Sequence, residues 1–308
     1  LNEQSPERMK ILVTGATGYI GGEITRALAA AGQDVLGSVR RAVDLAPGIT
    51  PLITGDLATA NLALAGVDAV VHAAGLGHKR GVPESVWRSA NVDAAANVAR
   101  LAKAAGAEKF VLISTAHVHG RVAAGIVTDT TPLNPMDEYA ASKLQAEAAV
   151  AEIFGRRLTI IRPVAVIGPR CPGNLQLLMK LLARGIPLPF GAIRNARAFI
   201  DVTDLAALVL TTLQAANPPP VILAAHPENI STPDLIRVLA AGMDIKPLLL
   251  PLPPTILAAG SKILGRAAMW QSLAGSFIAN PQAARAIGWA PAKTLAESLK
   301  ITGAAYVV

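Results

Sequence analysis

The sequence predicts an α/β protein: a doubly wound parallel sheet, followed by a smaller and less regular α/β lobe toward the C-terminus. Three observations predict it. From Lys10 to Pro163, short β-branched runs alternate with longer Ala- and Leu-rich stretches, the rhythm of strand and helix units wound into a parallel sheet. Glycines stand at Gly15, Gly18 and Gly21, directly after the first run. After Pro163 the rhythm gives way to Gly168-Pro169-Arg170-Cys171-Pro172-Gly173.

Taken in order, strands are expected at Lys10 to Thr14, Asp34 to Val39, Pro51 to Thr54, Ala69 to Ala73, Lys109 to Ser114 and Thr159 to Arg162. Each is a short apolar run bounded by turn residues. Helices fit between them at Tyr19 to Ala31, Ala58 to Leu64, Glu84 to Ala105 and Asp137 to Phe154. On such a sheet a ligand lies beyond the carboxyl ends of the strands, where strand order reverses. Downstream, helices are expected at Asn174 to Arg184, Thr203 to Ala215, Thr232 to Gly242, Thr255 to Leu264 and Pro281 to Ile287, with strands at Ala198 to Val202 and Val221 to Ala224. This assigns 9–170, with roughly 198–224, to the sheet domain, and 171–197 with 225–308 to the lobe. Residues 1–8 are polar, precede Met9 and read as an extension or cloning remnant.

Composition narrows the classes. With 308 residues, 52% hydrophobic and 16% charged, the chain can bury a large core and is not disordered. The single Cys171 excludes an internal disulfide and fits a reducing cytosol, so a cytoplasmic location is expected. The net charge of +7 suits an anionic ligand. Lys and Arg are scattered and no recognition motif appears, so nucleic acid is not an expected partner. The longest uncharged stretches, Leu205 to His226 and Pro247 to Ser261, are broken by prolines and predict no membrane insertion.

The glycine spacing sits in Thr14-Gly15-Ala16-Thr17-Gly18-Tyr19-Ile20-Gly21, between an apolar strand and an amphipathic helix. Glycines there let the backbone turn tightly and approach a pyrophosphate, which the helix start and its dipole hold; this is the fingerprint of a Rossmann dinucleotide site. A free ribose hydroxyl would call for an acid at the end of the second strand. The chain has Arg40 and Arg41, which pair with a 2′-phosphate, so NADP(H) is favoured and NAD(H) possible. Asp56, before Leu57, could accept the adenine amino group, and Ala73-Ala74-Gly75 could pass under the ribose. Tyr139 and Lys143 stand four apart in a predicted helix and therefore share a face. A nearby cation favours the phenolate, which makes Tyr139 a candidate acid or base.

Together these residues resemble the extended short-chain dehydrogenase/reductase family. The likeness rests on the glycine turn, Gly55-Asp56-Leu57, His72-Ala73-Ala74-Gly75, Asn91-Val92, Ile113-Ser114-Thr115, Tyr139-Ala-Ala-Ser-Lys143, Ile161-Arg162-Pro163 and Arg197 to Asp204. The resemblance implies that Tyr139 exchanges a proton with a sugar oxygen while hydride passes between carbon and nicotinamide. Thr115 would polarise that oxygen, and Lys143 would lower the tyrosine pKa and hold the ribose. Asn91 and Pro163 would border the cofactor. Where the family commonly has Val-Tyr-Gly, this chain has Val118-His119-Gly120; His119 is assigned a structural role, while His117 and His78 would face the substrate.

The later text is similar to that of UDP-4-keto-6-deoxy-N-acetylhexosamine reductases, on Asn174-Leu175, the run Leu182 to Arg197, and Gly288-Trp289-x-Pro291. By that likeness Asn174 touches phosphate or sugar, the backbone around Leu188 brackets the uracil, and Arg197 with Arg194 neutralises the diphosphate. The implied activity is reduction of a nucleotide-sugar 4-ketone. A UDP-hexose 4-epimerase with retained NAD shares every residue, and a non-catalytic sensor or assembly subunit is the alternative of another class. No metal is called for. A homodimer through the two long helices, Glu84 to Ala105 and Asp137 to Phe154, is expected from the family.

Overall fold

The computed structural model describes residues 8–77, 81–123, 125–263, 265 and 267–306. Its strands, in chain order, are β1 (Lys10–Thr14), β2 (Asp34–Val39), β3 (Ile49–Ile53), β4 (Ala69–His72), β5 (Lys109–Ile113), β6 (Ile126–Val127), β7 (Leu158–Pro163), β8 (Ala165–Ile167), β9 (Arg197–Asp201), β10 (Val221–Ala224), β11 (Asn229–Ile230) and β12 (Ile278–Ala279). Its α-helices are α1 (Tyr19–Ala30), α2 (Glu84–Trp87), α3 (Ala94–Ala104), α4 (Glu138–Phe154), α5 (Asn174–Ala183), α6 (Val202–Gln214), α7 (Thr232–Gly242), α8 (Pro254–Ile263), α9 (Ala267–Ala274), α10 (Gln282–Ala286) and α11 (Leu295–Ala304).

Seven strands form one parallel sheet in the order β3-β2-β1-β4-β5-β7-β10. The chain winds outward from β1 to β3, then crosses back to β4 and winds the other way. The reversal falls between β1 and β4, where Thr14 lies in register with His72. Alternation along each strand builds two cores. Ile11, Val13, Val71 and Ile161 join Ile24 and Leu28 of α1 and Leu205 and Leu208 of α6 on one face. Leu12, Val70, Phe110 and Leu112 join Val98 of α3 and Val150 of α4 on the other. Each fully buried Leu, Ile or Phe stabilises such a layer by roughly 1.5–3 kcal/mol.

A third core holds the C-terminal lobe, with Met179, Leu188, Phe199, Ile236, Leu239 and Leu299. Here α7 and α11 approach closely, because a Cβ at Gly242 or Gly303 would strike the backbone of Lys300 or Leu239. Within 198–224, α6 and β10 belong to the large sheet's layers. In contrast β9 pairs with β8 and β11 in a separate three-stranded sheet, and β12 pairs with β6. The outer edge of β10 is closed by Asp129, whose Oδ1 accepts the Leu223 N–H at 2.5 Å and whose Oδ2 accepts the Ala283 N–H at 3.1 Å.

Two local expectations fail. Residues 58–64 form a short turn and an irregular run in place of a helix: Asp56 Oδ1 accepts the Ala58 N–H, and the Asn97 amide donates to the Leu57 and Ala60 carbonyls, side-chain bonds that compete with a helical ladder. The long helix from Glu84 is also interrupted, by a π-helical stretch at Arg88–Asp93 that carries Asn91.

Candidate active site

At the switch point β1 ends in a turn that only glycine fits. Gly15 has φ +74°, and a Cβ there would lie 2.9 Å from the Ala74 nitrogen and 3.1 Å from the Ala73 carbonyl carbon. Ala73 and Ala74 therefore do pass beside the glycine turn. Gly18 closes it, donating to Gly15 O at 2.8 Å, and then serves as N-cap of α1 with no capping side chain. The first-turn amides, at Tyr19 and Ile20, and the positive helix end thus face a space bordered by exposed Thr17 and Gly18. Thr14 Oγ1 receives the Ala74 N–H at 3.2 Å and bonds His72 Nδ1 at 2.9 Å, tying the two strands together. These features fit the pyrophosphate of a dinucleotide. Gly15→Val forces a β-branched residue into a left-handed conformation against backbone. It is expected to weaken nicotinamide-cofactor binding at least tenfold and to cost on the order of 1–3 kcal/mol of stability, both readable by fluorescence titration and thermal unfolding.

The remaining cofactor candidates flank this turn. Arg40 is exposed just past the carboxyl end of β2. Asp56 follows β3, engaged by the Ala58 N–H, with Leu57 packed on the second core. Tyr19 departs from its assignment in part: its ring packs on the lobe core beside Gly168, and burial raises its hydroxyl pKa. Pro163 ends β7 and is buried. Gly75 meets Asn91, because a Cβ there would lie 2.9 Å from Asn91 Oδ1. Asn91 accepts the Leu76 N–H at 2.7 Å, and its amide donates to Leu76 O and, at 2.9 Å, to Ser142 Oγ. It is thus a clasp between the loop after β4 and α4, which the interrupted helix positions.

Helix α4 starts at Asp137, whose Oδ1 accepts the Ala140 N–H at 2.8 Å while Oδ2 receives Arg121 at 2.6 and 2.9 Å. One turn in, Tyr139 and Lys143 share a face as expected. The Tyr139 hydroxyl is hydrogen-bonded to the Thr115 side chain, and its ring lies against Trp87 and edge-on to His117. Thr115 is buried and caps the short turn Ala116–His119. Lys143 is buried, donates to Ile113 O at 2.7 Å, and is pushed down to a pKa of about 8 by desolvation against the pull of Glu147.

The expected depression of the tyrosine pKa is not what the structure holds. Burial raises it, with the Asp137 charge adding to the rise and the Thr115 hydrogen bond opposing it.

Behind these residues lies a buried network that motif spacing did not reveal. Glu147 accepts Ser114 Oγ at 2.5 Å and both Nε and Nη2 of Arg162, at 3.0 and 2.6 Å. Arg162 Nη1 also meets His119 Nε2 at 3.2 Å, and His119 Nδ1 meets Pro132 O at 3.3 Å. Since guanidinium can only donate, Nε2 accepts and Nδ1 carries the proton. Burial and Arg162 both push the His119 pKa down, which keeps it neutral. His119 is therefore structural.

On the lobe side the substrate candidates separate. Arg197, at the start of β9, is partly buried, donates to Gly275 O at 3.0 Å and has its pKa lowered to about 10 by desolvation. Arg194 and Asn174 are exposed. In the segment Leu188 to Phe190, expected to bracket the uracil, the Leu188 side chain is core, its N–H donates to Leu248 O and its carbonyl accepts the Leu250 N–H, both at 2.9 Å. His78 lies outside the described residues.

With this geometry in hand, similarity to known proteins is informative. The sequence pattern of the NAD dependent epimerase/dehydratase family matches residues 11–224. A UDP-glucose 4-epimerase of Vibrio cholerae is 31% identical over 316 residues, covering 96% of this chain and 95% of that protein. Among solved structures, MoeE5 in complex with UDP-glucose and NAD superposes with a TM-score of 0.77 at 23% identity, over 96% of this chain and 98% of that one. Human epimerase family protein SDR39U1 with NADPH gives 0.78 at 21%, over 96% and 99%. At those identities the structures show the shared fold. The sequence matches, with the glycine turn and the Tyr139–Lys143 pair, establish that this chain belongs to the NAD dependent epimerase/dehydratase family.

Proposed function

We propose that the protein is an NAD(P)H-dependent oxidoreductase of nucleotide sugars that reduces the 4-keto group of a UDP-4-keto-6-deoxy-hexosamine. The observation that carries this reading is the meeting of Thr115, Tyr139 and Lys143 beside the Gly15 turn, where strand order reverses. The bound cofactor supplies hydride to the carbonyl carbon. Tyr139, kept protonated by burial, passes its proton to the oxygen as charge gathers there. Thr115, hydrogen-bonded to the phenol, orients that oxygen. Lys143 stabilises the phenolate left behind and is placed for the ribose hydroxyls. Gly15, Thr17, Gly18, Ile20, Asp56, Ala73, Ala74, Gly75 and Asn91 form the dinucleotide surface of this proposal. Arg197, Arg194 and Asn174 are its diphosphate partners, and His117 borders the sugar. A homodimer through α3 and α4 belongs to the same proposal.

Arg40 supports an exchangeable NADPH, which a reductase needs and an enzyme that retains its cofactor does not. Dehydration is disfavoured because Ala116 and His117 follow Thr115, and both carboxylate oxygens of Asp137 are engaged in holding α4 and Arg121. The 31% identity to a UDP-glucose 4-epimerase favours a second reading, 4-epimerisation with retained NAD. The test is to offer UDP-4-keto-6-deoxy-N-acetylglucosamine with each reduced nicotinamide and follow its absorbance. Oxidation, faster with NADPH, is expected. No oxidation with either, alongside interconversion of UDP-N-acetylglucosamine and its 4-epimer, replaces the first reading by the second.

A further inference from the structure

The C-terminal lobe carries an apolar ridge that the described residues leave uncovered. Leu248, Leu250 and Leu252 are 57%, 39% and 40% exposed, and Ile256 at the start of α8 is 61% exposed. The residue between the first two, Leu249, packs on the lobe core, so alternation along an extended run sends one row inward and one outward. The ridge is pre-formed. The 188–191 segment pairs with it, through the two Leu188 bonds and Gly191 N–H to Leu250 O at 3.0 Å, and brings exposed Ile186 alongside. Pro247, Pro251, Pro253 and Pro254 stiffen the backbone further. Single exposed aliphatics are ordinary, but a rigid row of them marks a surface that meets something.

The two stretches that build the ridge carry charge of one sign. No Asp or Glu occurs between Asp244 and Glu297, nor between Glu152 and Asp201. Lys180, Arg184, Lys246 and Lys262 lie in those stretches and are exposed. A second copy seated ridge to ridge would set these cations against each other with no carboxylate from either stretch to offset them, and nucleic acid has no use for the leucines. An anionic bilayer satisfies both features at once.

We propose that this ridge seats the protein on an anionic lipid bilayer, with Leu248, Leu250, Leu252 and Ile256 entering the interfacial layer and the flanking lysines and arginine meeting headgroup phosphates. No helix among the described residues is long and apolar enough to cross a membrane, so the attachment is peripheral and reversible. Each basic side chain near an anionic leaflet strengthens partition roughly fivefold, an effect confined to about a Debye length and weakened by salt.

The experiment sediments the full chain with vesicles of phosphatidylcholine alone and of phosphatidylcholine mixed with phosphatidylglycerol. Binding to the mixed vesicles at low salt, with release at high salt, is expected. Leu248→Ser/Leu252→Ser/Ile256→Ser and, separately, Lys246→Glu/Lys262→Glu are each expected to weaken partition at least about tenfold. All five positions are exposed, so thermal unfolding and nicotinamide-cofactor affinity should stay at wild-type values. The proposal is overturned by absence of binding to the mixed vesicles at low salt, or by equal partition of wild type and both variants. A wild-type dimer that the serine variant dissolves, seen in sedimentation equilibrium, overturns it in favour of self-association. None of these outcomes depends on which sugar the enzyme reduces.

Discussion

Tyr139→Phe lowers turnover by about 10²–10⁴-fold with whichever sugar the wild type consumes, while KM and cofactor affinity change little. The substitution removes one oxygen and nothing else: the ring keeps its contacts with Trp87 and His117, and the volume is conserved. What is lost is the proton donor and its hydrogen bond to the Thr115 side chain, which the His117 N–H still holds at 3.2 Å. Lys143 is untouched, so cofactor titration should give the wild-type affinity. Steady-state kinetics decides the matter: a variant retaining more than a tenth of the wild-type rate would show that the proton travels by another route.

The largest effect on stability is expected at a residue that touches no reactant. Glu147→Ala leaves the Arg162 guanidinium buried without its carboxylate and Ser114 without its acceptor. Breaking a buried pair from one side costs about 3–5 kcal/mol, which for a chain of this size lowers Tm by roughly 5–8 °C. Activity should fall as well, since Ser114 adjoins Thr115 and Glu147 favours the charged form of Lys143. The double replacement Glu147→Leu/Arg162→Met removes both charges and is expected to recover most of the lost stability without recovering activity. Thermal unfolding of the three proteins checks this; an unchanged Tm in Glu147→Ala would mean that the network contributes nothing to the fold.

What could be read before folding was local. The Gly15 turn follows from a strand, three glycines and a helix within a dozen residues, and the shared face of Tyr139 and Lys143 follows from helical spacing alone. Glu147 and Arg162 were not paired because they come from different elements, and only the crossing of α4 over β7 brings them together. Residues 58–64 misled because their Ala and Leu content suits a helix, whereas the Asn97 side chain, far along the chain, captures their carbonyls. The pairing of Leu188 was not legible either: a loop-like Pro-Leu-Pro segment is bonded along residues 248–250, which lie about sixty residues away in the chain. The direction of the tyrosine pKa follows from burial, which helical spacing does not report.

The carboxylate of Asp129 has a consequence for how the chain is made. It bonds the edge strand β10 with one oxygen and the start of α10 with the other, so a single side chain ties the sheet's last edge to the segment near residue 283. During synthesis Asp129 is already made when β10 emerges and can cap it at once, while its second bond, to the Ala283 N–H, forms about sixty residues later and fastens the C-terminal segment to a finished edge.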